Sequence, residues 1–126
     1  MAAVSVQAGG MTVLVVEDEE MLLSIIQAEF EEAGFGVAAC ATGEEAVAFL
    51  AGAGRADLLF TDIQLPGALD GWGVAEQARR FAPDLPVIYA TGFSVGPPRQ
   101  VPGSILLRKP YRLAKLVETA RGLIGA

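Results

Sequence analysis

The chain reads as a doubly wound α/β domain, a five-stranded parallel sheet with helices on both faces, and three observations predict it. Apolar strand-like runs alternate with segments of helical periodicity along the sequence, as in parallel strands joined by crossover helices. The hydrophobic fraction of 52% and mean hydropathy of +0.45 are high for a chain with no apolar run of membrane-spanning length, and a sheet buried on both faces explains them. Finally, four of the runs end in polar residues, at Glu17-Asp18, Asp62, Thr91-Gly92 and Lys109-Pro110, and the carboxyl ends of the strands are where open parallel sheets bind ligands.

Five strands and four helices are predicted. Thr12 to Val16 forms the first strand. Glu19 to Ala33 follows as a helix, with Leu22, Ile25, Ile26, Phe30 and Ala33 at helical spacing and Gly34 as its stop. Val37 to Cys40 is the second strand. Thr42 caps a helix from Gly43 to about Ala51, whose first turn carries Glu44 and Glu45 where the macrodipole favours acids. Leu58 to Thr61 is the third strand and ends at Asp62. Asp70 caps a helix running to about Phe81, and Pro83 and Pro86 bracket its exit. Gly71 and Trp72 read as helix start and packing anchor. Val87 to Ala90 and Ile105 to Arg108 are the fourth and fifth strands. Leu113, Leu116, Val117, Ala120 and Ile124 make one stripe of a last helix.

The segment from Gly92 to Gly103 breaks the rhythm. Gly96, Pro97, Pro98, Pro102 and Gly103 oppose a regular helix there. A loop or a single turn is expected where a doubly wound fold normally has a helix, with the right-handed crossover made by extended chain.

At 126 residues the chain is long enough for one domain with a real core. Residues 1–10 read as a disordered tail and 11–126 as the domain. The start lacks the basic residues and apolar core of a secretory signal, so a cytoplasmic protein is expected. The lone Cys40 reads as an inert strand residue. With no histidine, zinc sites and Ser-His or Cys-His pairs are excluded. A net charge of −6 argues against binding the nucleic-acid backbone and for a protein partner or a cation.

Four motifs in fixed order, the acidic pair Glu17-Asp18, Asp62 before Leu65-Pro66-Gly67, Thr91 in Ala90-Thr91-Gly92, and Lys109-Pro110, resemble the receiver domain of bacterial two-component response regulators. The resemblance runs from about Thr12 to Ile124 and implies a flavodoxin-like fold of strand order 2-1-3-4-5. The string Tyr89-Ala90-Thr91-Gly92-Phe93 resembles the FAT GUY variant receivers, with Tyr89 in place of their Phe and Ser94 in place of their final Tyr. The extra residue within 66–72 is similar to that subfamily too.

The resemblance implies a site. Asp62 would attack a phosphoryl group and carry it as an acyl phosphate. Glu17, Asp18 and Asp62 at one sheet edge would repel, so at least one pKa should rise without a cation. Mg²⁺ would relieve that repulsion, with Asp18, Asp62 and the backbone carbonyl of Gln64 as ligands and Glu17 acting through water. Lys109 and the Thr91 hydroxyl would engage phosphoryl oxygens. The bond before Pro110 is often cis in the family, which would aim Lys109 into the site. Taken singly, Asp18 can equally be a helix cap, Thr91 a turn residue and Lys109 a solvated cation.

Two departures bear on signalling. Leu106, three residues before Lys109, stands where such receivers usually carry the aromatic residue of their switch. The lost helix removes part of their usual interaction surface. Phosphorylation is expected instead to order the Phe93 to Gly103 loop, with Phe93 shielding the acyl phosphate. With about two residues beyond the last helix, no output module is expected, so the chain would be a stand-alone signalling domain and not an enzyme. Its partners would be a histidine kinase or phosphotransfer protein and a downstream protein target, with no membrane and no nucleic acid. The alternatives are a docking module that is never phosphorylated, or another flavodoxin-like protein. A dehalogenase-type phosphatase would need an aspartate where Gln64 stands, and a nucleotide binder a phosphate-cradling loop after the first strand.

Overall fold

The computed structural model describes residues 10–92 and 98–125, together with the backbone of 3–4. Six strands form one sheet, β1 (Ala3–Val4), β2 (Thr12–Val16), β3 (Gly36–Cys40), β4 (Leu58–Asp62), β5 (Val87–Thr91) and β6 (Ile105–Arg108), in the order β1-β3-β2-β4-β5-β6. The five strands expected from sequence are β2 to β6, all parallel and in the predicted order. The sixth was not expected. Ala3–Val4 pairs antiparallel with Ala38 and Ala39 at the sheet edge, within the stretch read as a disordered tail. Two residues carry too little pattern to announce a strand.

Four helices pack on the sheet, α1 (Glu20–Glu32), α2 (Gly43–Ala51), α3 (Gly71–Phe81) and α4 (Leu113–Ile124). Local chemistry sets their ends. Thr42 accepts a hydrogen bond from the Glu45 amide at 3.1 Å, while Glu45 reaches back to the Ala41 amide at 2.9 Å, a reciprocal cap. Asp70 accepts from the Gly73 amide at 2.8 Å. Gly34, at φ +98°, takes the chain out of α1 through a conformation that disfavours other residues.

The central strands are buried on both faces, and their side chains alternate between two cores. Leu14, Val16, Leu59 and Tyr89 face α2 and α3, while Val13, Val15, Phe60 and Ile88 face α1 and α4. Ile26 and Phe30 of α1 are buried, whereas Ile25, expected in the same stripe, is 45% exposed. Successive helical residues are 100° apart, and Ile26 rather than Ile25 lines up with Leu22 and Phe30 to face the sheet.

Among the described residues no helix joins β5 to β6. Residues 98–104 run beside α3 as a strap that ends in a turn, where the Ser104 amide donates to the Val101 carbonyl at 3.2 Å. The buried Val101 donates its amide to the Tyr89 hydroxyl at 3.1 Å, and Arg79 donates to the Pro102 carbonyl at 2.8 Å. Arg99 pairs with Glu76 at 2.6 Å. Trp72 packs on Tyr89 beneath, ring centroids 4.7 Å apart. The ordering expected over Phe93 to Gly103 therefore does not extend to 98–103, which these bonds already fix. Phe93 lies outside the described residues.

Candidate functional site

Glu17, Asp62, Thr91 and Lys109 each stand at or just after the carboxyl end of a parallel strand, so the topology delivers them to one edge. β2 lies between β3 and β4, and β4 between β2 and β5. Glu17-Asp18 is thus adjacent to Asp62, and Asp62 pairs in register with Ala90, one residue before Thr91. The Lys109 amide donates to the Thr91 carbonyl at 2.7 Å, extending the β5–β6 ladder into the site. The Lys109–Pro110 peptide is cis.

One carboxylate oxygen from each of Glu17, Asp18 and Asp62 can be chosen so that all lie within 4.8 Å of one another. Glu17 and Asp62 are buried and Asp18 is exposed, so the cluster opens to solvent on one side. Lys109 Nζ donates to Asp62 Oδ2 at 2.7 Å, and the Gln64 amide donates to Oδ1 at 3.3 Å. Glu17 Oε2 accepts from the Glu19 amide at 2.9 Å, tying the loop before α1 to the cluster. Thr91 is buried at the end of β5. Leu106 is half-buried, pairs in register with Tyr89 and packs against the α2–α3 core.

The electrostatics follow from this crowding. Burial, and after it the Asp62 charge, raise the Glu17 carboxyl to about 7 despite the Glu19 amide. Burial alone would lower Lys109, but its hydrogen bond to Asp62 and the surrounding carboxylates raise it. Three hard oxygen donors converging around a solvent opening suit a hard divalent cation, which would replace the proton that Glu17 retains.

Two features of the site escaped the sequence reading. Gly71 does more than begin α3: a Cβ there would lie 2.1 Å from the Asp62 carbonyl and 2.6 Å from Ile63 Cα. Its amide donates to the Ile63 carbonyl at 2.8 Å. The start of α3 therefore presses against the Asp62–Ile63 turn at a distance only glycine permits. Tyr111 stacks edge-on against Phe60 at 5.9 Å with its hydroxyl buried and without a hydrogen-bond partner among the described residues. Burial, then the charges of Glu17 and Asp62, raise its pKa. Nothing but its position after Pro110 signals this in the sequence. Cys40 is buried, and its thiol is pushed up to about 12, chiefly by burial.

The family model of the response regulator receiver domain matches residues 13–121. The chain belongs to that family. A receiver is a signalling module and generally not an enzyme, and receivers bind Mg²⁺ at an acidic pocket. This receiver is 32% identical over 119 residues to the C4-dicarboxylate transport transcriptional regulatory protein DctD of Rhizobium meliloti, covering 87% of this chain and 24% of that one. It is 32% identical over 78 residues to the response regulator SaeR of Staphylococcus aureus, covering 62% and 33%. It thus spans about a quarter to a third of the length of these curated relatives.

Among solved structures, a response regulator receiver protein from Sinorhizobium medicae superposes with a TM-score of 0.89 at 33% identity, over 94% of this chain and 98% of that one. The receiver of sensor histidine kinase PA1611 from Pseudomonas aeruginosa, solved with a magnesium ion in its active-site cleft, gives 0.79 at 26% identity, over 93% and 99%. These matches identify the receiver family and lend no support to the FAT GUY subfamily. Among the described residues no helix is long and apolar enough to cross a membrane.

Proposed function

We propose that this receiver accepts a phosphoryl group on Asp62 from a histidine kinase or phosphotransfer protein, in a Mg²⁺-dependent reaction, and signals by protein contacts. The observation that carries this is the convergence of Glu17, Asp18 and Asp62 within 4.8 Å with Lys109 bonded to Asp62 at 2.7 Å. Phosphoryl transfer asks a protein for alignment and charge neutralisation more than for covalent help, and this arrangement offers both.

An Asp62 carboxylate oxygen forms the bond to phosphorus as the donor's bond breaks, and the departing group takes the electron pair. Bound Mg²⁺ would neutralise the oxygens of the transferring group. Asp18, Asp62 and the Gln64 carbonyl are the ligands we assign to it, with Glu17 acting through water. Lys109, already beside Asp62, follows the new charge onto a phosphoryl oxygen as a compact cation. Thr91, one strand over at the same level, supplies a hydroxyl to another oxygen.

Intact mass measured after incubation with acetyl phosphate tests the proposal. A phosphoryl adduct is expected with Mg²⁺ present, absent with chelator and absent from Asp62→Asn. A folded protein that takes no adduct from acetyl phosphate or from a phosphorylated histidine kinase would favour the alternative, a docking module that works without phosphorylation.

A further inference from the structure

Charge is segregated along this chain. Thirteen of the fifteen carboxylates and one of the nine bases precede Arg79, and the remaining eight bases and two carboxylates follow from there. From Ile105 to Val117, covering β6 and the start of α4, there are four bases and no carboxylate. Lys109 is engaged by Asp62. Arg108 and Arg112 are exposed, and their side chains make no ion pair or hydrogen bond among the described residues. Lys115 has only a 3.9 Å contact to Glu118.

These three cations border an open sheet edge. β6 is a terminal strand, bonded to β5 on one side, and no described residue forms a ladder on the other. On α4, Leu116, Val117 and Ala120 face the sheet, while Arg121, donating to the Ala33 carbonyl at 2.8 Å, marks the side toward α1. With about 100° between successive helical residues, Arg112 and Lys115 fall on the side away from Arg121, next to the free edge of β6. Arg108 is the last residue of β6 itself.

We infer that this edge binds an extended, acidic segment of a partner protein, which adds a strand to β6 and sets its carboxylates against Arg108, Arg112 and Lys115. Strand addition draws affinity from main-chain hydrogen bonds and specificity from the flanking side chains. Charged residues at a free edge normally deter pairing. Here all three carry one sign, so the deterrent acts on neutral and basic strands and on a two-fold pairing of β6 with itself, while an acidic strand is attracted. The same three cations are too few to hold a nucleic-acid backbone against a net charge of −6.

The test follows backbone amide shifts of the isotope-labelled protein during titration with a blocked peptide of alternating glutamate and valine. Saturable shifts centred on residues 104–108 are expected, weakened about tenfold by the triple substitution R108E/R112E/K115E and by raising salt from about 50 to about 300 mM. R112Q/K115Q, which removes charge without reversing it, should weaken binding by a smaller factor. The idea is overturned by shifts elsewhere or none, by equal binding of the lysine–valine counterpart, by tighter binding of single-stranded DNA at the same amides, or by concentration-dependent shifts there without peptide, which would mean a second copy occupies the edge. None of these outcomes depends on phosphorylation of Asp62.

Discussion

Lys109 Nζ lies 2.7 Å from Asp62 Oδ2, an ion pair that reaches across the end of β5 between the ends of β4 and β6 and joins residues 47 positions apart in sequence. Asp62 is almost fully buried and Lys109 about one-third exposed. The pair therefore sits between the surface regime, where such contacts contribute little, and the buried one, where breaking them is costly. Lys109→Met is expected to lower stability by about 1–2 kcal/mol without divalent cation, because Asp62 is left facing Glu17 and Asp18. Denaturant unfolding at pH 8 in chelator measures it, and an unchanged midpoint would show the pair to be energetically idle.

Glu17 gives a pH dependence whose sign is fixed. Its carboxyl is raised in the folded protein from 4.5 to about 7, by burial first and the Asp62 charge after it. Across that window the native state holds a proton that the unfolded chain has released, so stability falls as pH rises from about 4.5 to about 7. Glu17→Gln abolishes this loss. In chelator it should match the parent at pH 4 and exceed it by about 1–2 kcal/mol at pH 8, less than a fully enclosed site would give because solvent reaches the cluster through Asp18. Parallel stability curves for the two proteins would contradict the assignment.

Gly71 has no room for a side chain, since an added Cβ would lie 2.1 Å from the Asp62 carbonyl. Gly71→Ala must push the start of α3 away from the Asp62 turn, with an expected loss of about 3 kcal/mol or more. A loss below about 1 kcal/mol in thermal or denaturant unfolding would mean that the turn yields easily.

Tyr89→Phe isolates one hydroxyl. Removing it leaves the buried Val101 amide without the partner it has at 3.1 Å, at a cost of about 1–2 kcal/mol. Amide hydrogen exchange should show faster opening at Val101 and Ser104. Trp72, the only tryptophan, touches Tyr89 and its emission should report any repacking. Unchanged protection at Val101 would show that the strap is held by Arg79 and Arg99 alone.

What could be read in advance was local or repeated. Thr42 and Asp70 announced their helices because a cap needs one oxygen at one position. Strand ends carrying Glu17, Asp62, Thr91 and Lys109 announced a shared edge because parallel topology stacks carboxyl ends together. Burial that depends on partners was harder. Ile25 and Ile26 have the same hydropathy, and only the sheet beneath α1 decides which is covered. The strap's attachment through Val101 to Tyr89 joins residues 12 apart in a stretch whose prolines foretold the missing helix but not its substitute. Gly71 resembles any helix-starting glycine until the Asp62 carbonyl is seen against it. The N-terminal strand adds two residues to a sheet edge, below any periodic signal.

Borohydride trapping identifies which carboxylate accepts the phosphoryl group, and Asp62 is the one expected. Reduction of an acyl phosphate converts its aspartate to homoserine, which tandem mass spectrometry of the digested protein can place. After incubation with Mg²⁺ and acetyl phosphate, homoserine is expected at position 62 and at no other carboxylate. Phosphorylated protein that yields homoserine at Asp18, the one-carbon-longer alcohol 2-amino-5-hydroxypentanoate at Glu17, or no reduced side chain at position 62 would contradict that assignment.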